Sequence, residues 1–490
     1  MNRRNWLLAI GLSLLGFVGG LFSANCQPNP GYIPPLKVVG DVARVVKLED
    51  PKQLGKLQHI NYDGNNYQAM RLTDIIAAAQ PVATAGQIYL VGNDGFTSSF
   101  PAEGLENSYI FFSAQNGWEA VNLKHPINSN VKMLKEIVVI AKECPPHFGI
   151  TIIKPDKELF RITPGQLYKR DWLDYPYVEG QAVVENEGKS YTSAVYTRRK
   201  VFRLTDFIPI DEGSRMLVMG VAGEHRFLEN RGFFELKDNY ISYLQLDDRN
   251  CVDKVAGVII NPPPSSIMDA FYDARRYLEN NEKVLMIIIP GLTNQVYSDA
   301  LAKGGLPFLK NAGVALNASG VYPLEKQVWL GAIVTGKSPE ENGITSVQDQ
   351  ELKIPTLFAV AKQLQKPALL LQAAGRQLNT EIEALPVNDQ NASGTADDEL
   401  YTLSLNHLGQ GYDLIMLCFE GIASRHKNQD EGAESTLAAV KAIDSYLQGI
   451  ASKWPGQIII TATPGTDTGE SSRFDFNADT VFVPYWRFSP

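Results

Sequence analysis

Histidine and cysteine are scarce in this chain, which has six histidines and four cysteines among 490 residues. No two histidines lie within ten residues of each other, and there is no HExxH, CxxC or EF-hand-like run. This excludes the common zinc and calcium motifs, whose ligands are closely spaced. The cysteines are too few and too widely separated for a disulfide framework, and at most two bridges could form. They are Cys26, Cys144, Cys251 and Cys418.

Long basic runs and the common nucleotide motifs are also missing. The longest basic run is Arg198, Arg199 and Lys200, and 45 Lys plus Arg against 54 Asp plus Glu gives a net charge of −9. Binding driven by phosphate contacts needs a basic surface, so we predict no nucleic-acid partner. No G-x-S-x-G, Walker or Rossmann motif supports a serine hydrolase or a nucleotide-binding protein. The length and ordinary hydrophobic share predict about three folded domains.

The N-terminal segment has the pattern of a targeting sequence. Arg3 and Arg4 precede an apolar stretch over residues 6–22, and a polar, proline-containing segment follows. We predict that residues 1–25 are a signal peptide or a membrane anchor. The 17 apolar residues would span about 25 Å as a helix, slightly less than a bilayer core. The segment ending at Cys26 resembles a bacterial lipoprotein cleavage box, so lipidation of Cys26 and an uncleaved anchor both stay open. Either alternative places the chain outside the cytoplasm, with the membrane as a partner.

An internal repeat organises the first half of the chain. The sequence RLTDII at 71–76 recurs as RLTDFI at 203–208. Further matched segments, in the same order, begin at Gly86 and Gly213, at Ser108 and Asn239, and at Lys135 and Lys254. Four matches in one order indicate duplication. We predict two related α+β modules, over 36–145 and 155–262, each with a strand pair, a short helix near RLTD and further β-strands.

The first module resembles the later part of the molybdopterin-binding domain of sulfite-oxidase-like enzymes. The resemblance covers about 80 residues and is carried by RLTDIIAAA, Asp94-Gly95, Asn116-Gly117, His125-Pro126 and KMLKEIVVI. The metal-ligating cysteine of that family lies upstream, where this chain has only Cys26. The resemblance therefore implies no cofactor. The alternative interpretation of the two Xaa-Gly pairs is hairpin turns.

A different pattern begins after a proline-rich linker at 261–266. Four apolar runs without polar alternation lie near Ile287, Leu370, Leu417 and Ile459, as is typical of strands covered on both faces. Helix-like stretches separate them. This alternation predicts a three-layer α/β domain with a mainly parallel sheet over 267–490.

This third domain resembles the phosphodiesterase and nucleotide pyrophosphatase branch of the alkaline phosphatase superfamily. The carriers, in order, are MIIIPGL, PFLKNAGVALNASGVYP, AIVTGKSPEENGI, DLIMLCFEGIASRH and QIIITATPG, over about 200 residues. The resemblance implies an alkaline phosphatase-like fold. In that family, two zinc-like ions held by Asp, His and Asn activate a Thr or Ser nucleophile.

The chemistry of that family is not preserved in this sequence. A lysine, Lys326, falls at the nucleophile position, and of the expected ligands only His426 is kept. The residues at the other ligand positions carry no carboxylate or imidazole: Pro290, Trp329, Asn342, Ile422, Thr463 and Pro464. One imidazole cannot hold two divalent ions. We therefore predict no metal, no cofactor and no catalytic residue, which makes the domain a pseudoenzyme.

By this resemblance, four residues are expected around the position of the family's active-site pocket. They are Lys326, His426, Glu325 and Glu420. Lys326 could bind an anion at the position where that family binds phosphate, since its ammonium is a compact cation. The alternative is that Lys326 is a solvated loop residue or the ion-pair partner of a nearby glutamate, and that His426 is structural.

These observations favour a non-catalytic, membrane-anchored, extracytoplasmic binding or structural protein built on a degenerate phosphatase-like domain. A crevice at the carboxyl ends of the strands would remain for a small ligand or a protein partner. One alternative is a metal-dependent phosphodiesterase or phosphatase with an atypical site. A second is a redox-associated cofactor binder acting through the first module.

Overall fold

The computed structural model describes most of the chain after residue 34. Residues 35–53, 55–124, 129–186, 188–211, 213–245, 250–373, 378–427, 433–465 and 476–490 are described, with backbone only for 186 and 425–427. Residues 1–25 and Cys26 lie outside this part. The described residues divide into two compact units, one holding 35–39, 44–80 and 86–139, the other 40–43, 81–85 and those from 140 onward. The predicted boundaries of three domains stay a prediction.

Nine strands form the first part of the chain. They are β1 Leu36–Gly40, β2 Val46–Leu48, β3 Gln58–Tyr62, β4 Asn65–Arg71, β5 Ala85–Gly92, β6 Thr97–Pro101, β7 Ser108–Ser113, β8 Gly117–Asn122 and β9 Leu134–Ala141. They build a five-stranded sheet, in the order β2-β1-β9-β5-β6, and a four-stranded sheet, in the order β3-β4-β7-β8. One helix, α1 Leu72–Ala78, follows β4. Asp94-Gly95 lies between β5 and β6, and Asn116 lies between β7 and β8 with Gly117 as the first residue of β8, as in hairpin turns.

Nine further strands repeat this arrangement. They are β10 Ile150–Ile153, β11 Leu159–Ile162, β12 Leu173–Asn186, β13 Lys189–Phe202, β14 Arg215–Gly220, β15 His225–Glu229, β16 Phe233–Leu236, β17 Ile241–Leu244 and β18 Val255–Ile260. Their sheets have the orders β11-β10-β18-β14-β15 and β12-β13-β16-β17. Each position in these orders corresponds to the strand nine places earlier. A short helix, α2 Pro164–Leu167, follows β11.

The helix expected near the second RLTD is reduced to a single 3-10 turn. The first RLTD begins α1, whereas the second forms only the turn Leu204–Asp206. Alanines continue α1 after Ile76, but Pro209 follows Ile208 in the second copy. Proline has no backbone N–H and disfavours helical geometry in the preceding residue, so an α-helix cannot extend there. The predicted short helix is therefore an α-helix in the first module and a single 3-10 turn in the second.

The rest of the chain forms an α/β domain around one eight-stranded sheet. Its strands are β19 Ser265–Ser266, β20 Val284–Pro290, β21 Leu316–Ser319, β22 Ala368–Ala373, β23 Leu385–Val387, β24 Leu414–Cys418, β25 Gln457–Thr463 and β26 Phe482–Phe488. The sheet order is β19-β21-β26-β25-β20-β24-β22-β23. Strand β20 pairs in parallel with both β24 and β25, and β22 pairs in parallel with β23 and β24. The antiparallel strand is β26. All four apolar runs singled out in the sequence are strands of this sheet.

The helices of this domain occupy the connections between its strands. They are α3 Asp269–Glu279, α4 Asn294–Ala302, α5 Pro307–Asn311, α6 Lys326–Thr335, α7 Pro339–Asn342, α8 Leu357–Gln363, α9 Asp397–His407, α10 Gly421–Lys427, α11 Ala433–Ala451 and α12 Ala478–Val481. Every residue of α6 after Lys326 is buried. A helix that is covered on all sides is fixed by the core around it. Its first residue is therefore held in a defined place.

Two further observations complete the architecture. Across the described residues, none of the helices combines the length and apolarity needed to cross a bilayer.

Cys144, Cys251 and Cys418 are free thiols. Cys418 lies fully buried in β24, and burial raises the pKa of its thiol to about 12. A thiol with this pKa is unreactive at neutral pH, as expected of a small core residue.

Candidate functional site

A cavity of about 450 Å³ lies at the carboxyl ends of the parallel strands. Gln372 and Ala373 at the end of β22, Glu420 just beyond β24 and Gly465 just beyond β25 contribute to its wall. The first turn of α6 forms another part of the wall through Lys326 and Gln327. In open α/β sheets this end carries the ligand crevice, because the loops that leave the strands there are free to surround a ligand.

Lys326 and Glu420 form an ion pair in the cavity wall. The Lys326 Nζ donates to Glu420 Oε1, and each side chain is about one-fifth exposed, 20% and 22%. The two residues are 94 positions apart in the sequence and come from α6 and from the loop after β24. The alkyl stem of Lys326 starts on a buried helix, so the ammonium group is aimed at the carboxylate. The structure therefore shows the alternative in which Lys326 is the partner of a nearby glutamate.

Asp397 holds the loop that carries Glu420. Its two carboxylate oxygens accept hydrogen bonds from the backbone N–H groups of Glu420 and Gly421, each at 2.8 Å. This satisfies donors at the N-terminus of α10, which would otherwise have no partner. Burial raises the pKa of the Asp397 carboxyl to about 6, and the neighbouring charge of Glu420 adds to the effect. Asp397 is therefore a positioning residue for Glu420.

Gln327, which lines the cavity, also has a buried amide donor without a partner in the described part of the chain. Gln327 is 4% exposed, and its Nε2 makes no hydrogen bond to any of the described residues. An unpaired buried amide costs about 1–3 kcal/mol relative to a paired one. A ligand or a water molecule that accepts from Gln327 would remove this cost.

The remaining lining combines polar and apolar side chains. Polar groups come from Gln372, Thr380, Asn388, Asp389, Thr395 and Ser424. Apolar groups come from Leu330, Val334, Val347, Phe358, Leu370, Leu378, Val387 and Met416. Asp389 accepts from the backbone N–H groups of Ser393 and Gly394, at 3.1 and 2.9 Å. Among the described lining residues Lys326, Glu420 and Asp389 are charged, so the wall carries one net negative charge at neutral pH.

The structure brings together two of the four residues that the sequence predicted around the pocket. Lys326 and Glu420 line the cavity, but Glu325 does not. Glu325 is 3% exposed, precedes α6, and accepts a hydrogen bond from the backbone N–H of Val347. The backbone of His426 lies in α10, and its side chain is outside the described part of the chain.

The described residues at positions where the resemblance expects metal ligands pack in the core or pair within the backbone. Pro290 and Thr463 end neighbouring strands and face each other in register. Trp329 is fully buried. Asn342 is also buried, and it donates to the Lys337 carbonyl at 3.0 Å and accepts from the Ile344 N–H at 2.8 Å. These groups stabilise the backbone and the core and leave no carboxylate or imidazole to bind a cation.

Two zinc-like ions, which the family resemblance implies, do not fit this set of residues. Within the described ranges there is no group of three or more His, Cys, Asp or Glu side chains arranged to hold a metal ion. Lys326, where the resemblance expects the nucleophile, carries a fixed positive charge, which opposes a second cation nearby.

Asp397, Asp389 and Gln327 were not predicted from the sequence. The run Asp397-Asp398-Glu399 at the start of α9 is typical of a helix N-terminus, where acidic residues are favoured. That pattern could have marked Asp397 as a capping residue. It gives no sign that the carboxylate caps a different helix, α10.

Comparison with known proteins gives weak structural similarities. No family model matches this sequence, and no curated protein matches it. Among solved structures, a phosphonoacetate hydrolase from Sinorhizobium meliloti 1021 aligns at 15% identity and a TM-score of 0.31, over 37% of this chain and 56% of that one. A periplasmic domain of phosphoethanolamine transferase EptC from Campylobacter jejuni aligns at 10% identity and a TM-score of 0.30, over 42% of this chain and 79% of that one. A protein in the alkaline phosphatase superfamily from Vibrio parahaemolyticus aligns at 14% identity and a TM-score of 0.31, over 42% of this chain and 60% of that one.

These alignments include the superfamily that the sequence resembles. This chain spans little more than half the length of the hydrolase it matches, at 56%. At TM-scores near 0.3 they assign neither a family nor an activity to this chain.

Proposed function

We propose that this chain is a non-catalytic binding protein built on a degenerate phosphatase-like domain. The observation that carries the proposal is the ion pair between Lys326 and Glu420 in the wall of the cavity. An ammonium group held against a carboxylate is neither a nucleophile nor a free anion receptor. The strand-end crevice is kept, and its polar groups are arranged for hydrogen bonding to a ligand.

The charge and shape of the cavity favour one class of ligand. Its net negative charge opposes a phosphate or sulfate ester, which would also have to displace Glu420 from Lys326. The unpaired Nε2 of Gln327 favours a hydrogen-bond acceptor, and the apolar wall favours a hydrocarbon part. The ligand we propose is a small amphipathic molecule, uncharged or cationic, with a hydroxyl or carbonyl oxygen. A volume of about 450 Å³ is within the usual range for small-molecule sites.

The proposal includes a layered architecture for the α/β domain. Helices α3, α6 and α8 contact one another and the sheet, and helices α5, α9, α10 and α11 form a second connected group. This grouping supports a three-layer arrangement with helices on both faces. The matching strand orders of the two preceding sets of sheets likewise support an origin by duplication.

We also propose that the chain is exported and anchored at the membrane. The support is the Arg3-Arg4 pair and the apolar stretch over 6–22, which lie outside the described residues. Metabolic labelling with a radioactive fatty acid separates the two forms of anchor. Label that is lost in Cys26→Ala indicates lipidation, and membrane association without label indicates an uncleaved helix.

Three probes with one skeleton and different charges test the ligand class. They are 3-phenylpropan-1-ol, 3-phenylpropylamine and 3-phenylpropionate, titrated into the full chain and followed by thermal unfolding and by calorimetry. We expect the alcohol and the amine to bind and to raise Tm, and the carboxylate to bind at least about tenfold more weakly because of Asp389 and Glu420.

Two variants locate the binding. Gln327→Leu keeps the size of the side chain but removes the donor, and it should weaken the alcohol about tenfold. Gln363→Leu makes the same change at an exposed position on α8 and should leave binding unchanged. The proposal fails if none of the probes binds, or if the carboxylate binds best and Gln327→Leu has no effect.

A further inference from the structure

The hairpin β12–β13 extends far beyond the sheet that it belongs to. Each strand has 14 residues, whereas the corresponding strands β3 and β4 have five and seven. Among the described residues β13 pairs with β16 only through Val201 and Phe202. Most of the hairpin is therefore a two-stranded ribbon. Such a ribbon has marginal stability in water when it stands alone.

The base of the ribbon is held by a cluster around Arg199. Its guanidinium stacks over the ring of Tyr177, 4.0 Å from the ring centre, and pairs with Glu179 at 2.6 Å and Glu235 at 2.9 Å. A β-bulge between Val178 and Gly180 follows this cluster. The bulge separates the base from the outer part of the ribbon, which runs to the turn after Glu185.

The outer part exposes large apolar side chains on both faces. Val184 and its cross-strand neighbour Tyr191 are each 54% exposed on one face, and Val178 and Tyr196 are 50% and 64% exposed on the other. Val183 is 66% exposed. Apolar groups concentrated on a segment without a core of its own mark an interaction surface.

The two edges of the ribbon differ in their protection against pairing. Strand β12 carries Pro176, Glu179, the bulge at Gly180 and Glu185, all of which oppose the addition of a strand. Strand β13 carries the run SYTSAVYT at 190–197, which has no charged residue, no proline and no glycine. A free, uncharged edge rich in β-branched and aromatic residues is a template for another strand. The surface that binds is therefore the β13 edge.

We propose that the β13 edge binds the β13 edge of a second copy of this chain, in antiparallel pairing about a two-fold axis at Ser193. A two-fold axis perpendicular to the ribbon leaves every side chain on the face that it already occupies. Because side chains alternate between the faces, opposed residues share a face only if the axis passes through a residue. The axis at Ser193 pairs the run 190–196 with itself. An axis one residue further, at Ala194, would oppose Lys189 and Arg199, two like charges.

The contacts made in this register are complementary. On one face Tyr191 lies opposite Val195 of the second copy, and this aromatic and β-branched pair occurs twice by symmetry. Lys189 lies opposite Thr197 on the same face as Tyr191. On the other face Ser190 lies opposite Tyr196. No like charges are opposed, and the two ribbons become one four-stranded sheet. This self-complementarity is why we name a second copy as the occupant.

Symmetric disulfide trapping tests the register directly. In an antiparallel sheet, opposed residues have Cα atoms about 4.5–5.5 Å apart, within the range that a disulfide bridges. Ser193→Cys should therefore crosslink the full chain into a covalent dimer under mild oxidation. Ala182 faces Ser193 within one hairpin, on the same face. Two copies of Ala182→Cys would lie three strand spacings apart, about 14 Å, and should not crosslink.

Sedimentation at a series of protein concentrations gives a second readout. Val195→Lys places an ammonium opposite Tyr191 and should weaken the dimer about tenfold or more. Val183→Lys makes the same change on β12, away from the paired edge, and should leave the dimer intact. Far-ultraviolet circular dichroism of both variants should match that of the parent chain, since these positions are exposed.

Each outcome decides the proposal. Crosslinking of Ser193→Cys above the level given by the native cysteines, without crosslinking of Ala182→Cys, supports it. A chain that sediments as a monomer, or a dimer that neither cysteine variant traps, overturns it. Equal crosslinking at both positions also overturns it, because random collision would then explain the bond. A different protein as occupant would leave the purified chain monomeric.

Discussion

At the scale of single residues, Asp397 determines how Glu420 is held in the cavity wall. Asp397→Asn replaces one acceptor oxygen by an NH₂ group that faces a backbone N–H, and we expect a loss of about 1–3 kcal/mol in the free energy of unfolding. Urea denaturation measures this loss. Asp74→Asn, at an exposed position in the first turn of α1, is the control and should cost less than about half as much.

The same residue makes stability depend on pH. The pKa of Asp397 is about 6 in the folded chain, and its ordinary value is 3.8. The folded state therefore binds more protons between these values, and the contribution of Asp397 to stability falls as the pH rises from about 4 to 6. Asp397→Asn should lack this part of the pH dependence, which is at most about 3 kcal/mol. An unchanged slope in the variant would contradict the assignment.

His225 should produce the opposite dependence. Its ring is buried in β15 and hydrogen-bonded to the backbone of Gly320, its Nε2 has no partner among the described residues, and burial lowers its pKa to about 4 from 6.5. Its contribution is fully present above pH 6.5 and is lost as the pH falls towards 4, by up to about 3 kcal/mol.

Denaturation at pH 7 and pH 5 tests this prediction. His225→Gln should reduce the difference in stability between the two values, whereas His59→Gln, on an exposed part of β3, should leave it as it is in the parent chain. If both variants give the parent difference, the depressed pKa of His225 is wrong.

The sequence could predict part of the cavity at this scale. Lys326 and Glu420 followed from the family resemblance, and the structure places both on the cavity wall. Glu325 was also expected there but turns to Val347, because the direction of a side chain at a helix start depends on capping geometry. Gln327 and Asp397 were missed, since contacts between loops far apart in sequence leave no local pattern.

At the scale of elements, the close packing of Gly320 on Trp329 fixes the position of α6. A Cβ atom at Gly320 would lie 1.9 and 2.0 Å from two carbons of the Trp329 ring. The ring is fully buried and cannot move away, so Gly320→Ala should cost about 3 kcal/mol or more. Gly409→Ala, with open space around it, is the matched control and should cost less than about 1 kcal/mol.

Thermal and urea unfolding of both variants measure these costs. Gly320→Ala should also release Lys326 from its partner, since α6 carries Lys326 at its start. Binding of 3-phenylpropan-1-ol to the variant at low temperature should therefore be weaker than to Gly409→Ala. Equal stability of the two variants would show that Trp329 can be displaced.

Apolar runs were the most predictive feature of the elements. The four runs in the α/β domain are strands because a strand buried on both faces needs apolar side chains at every position. The second RLTD forms only a single 3-10 turn because Pro209 ends it. This local rule outweighs the repetition of the sequence. The length of β12 and β13 was not predicted, since alternating polar and apolar residues do not show where pairing with a sheet ends.

At the scale of the whole molecule, two sets of nine strands with one strand order precede an α/β domain. The matched segments in the sequence predicted duplication, and the strand orders now support it as a proposal. The boundaries at 36–145, 155–262 and 267–490 remain predictions, as does the anchor over 1–25. Composition and pattern could indicate these divisions because each module repeats its own hydrophobic pattern.

We propose that the α/β domain binds a ligand without metal-dependent catalysis. The most direct test is the metal content of the purified full chain by elemental analysis, combined with turnover of bis(4-nitrophenyl) phosphate with and without a chelator. We predict fewer than about 0.1 metal ions per chain and no turnover that Lys326→Met changes. Near-stoichiometric zinc or manganese, with turnover abolished by the chelator, would contradict the account.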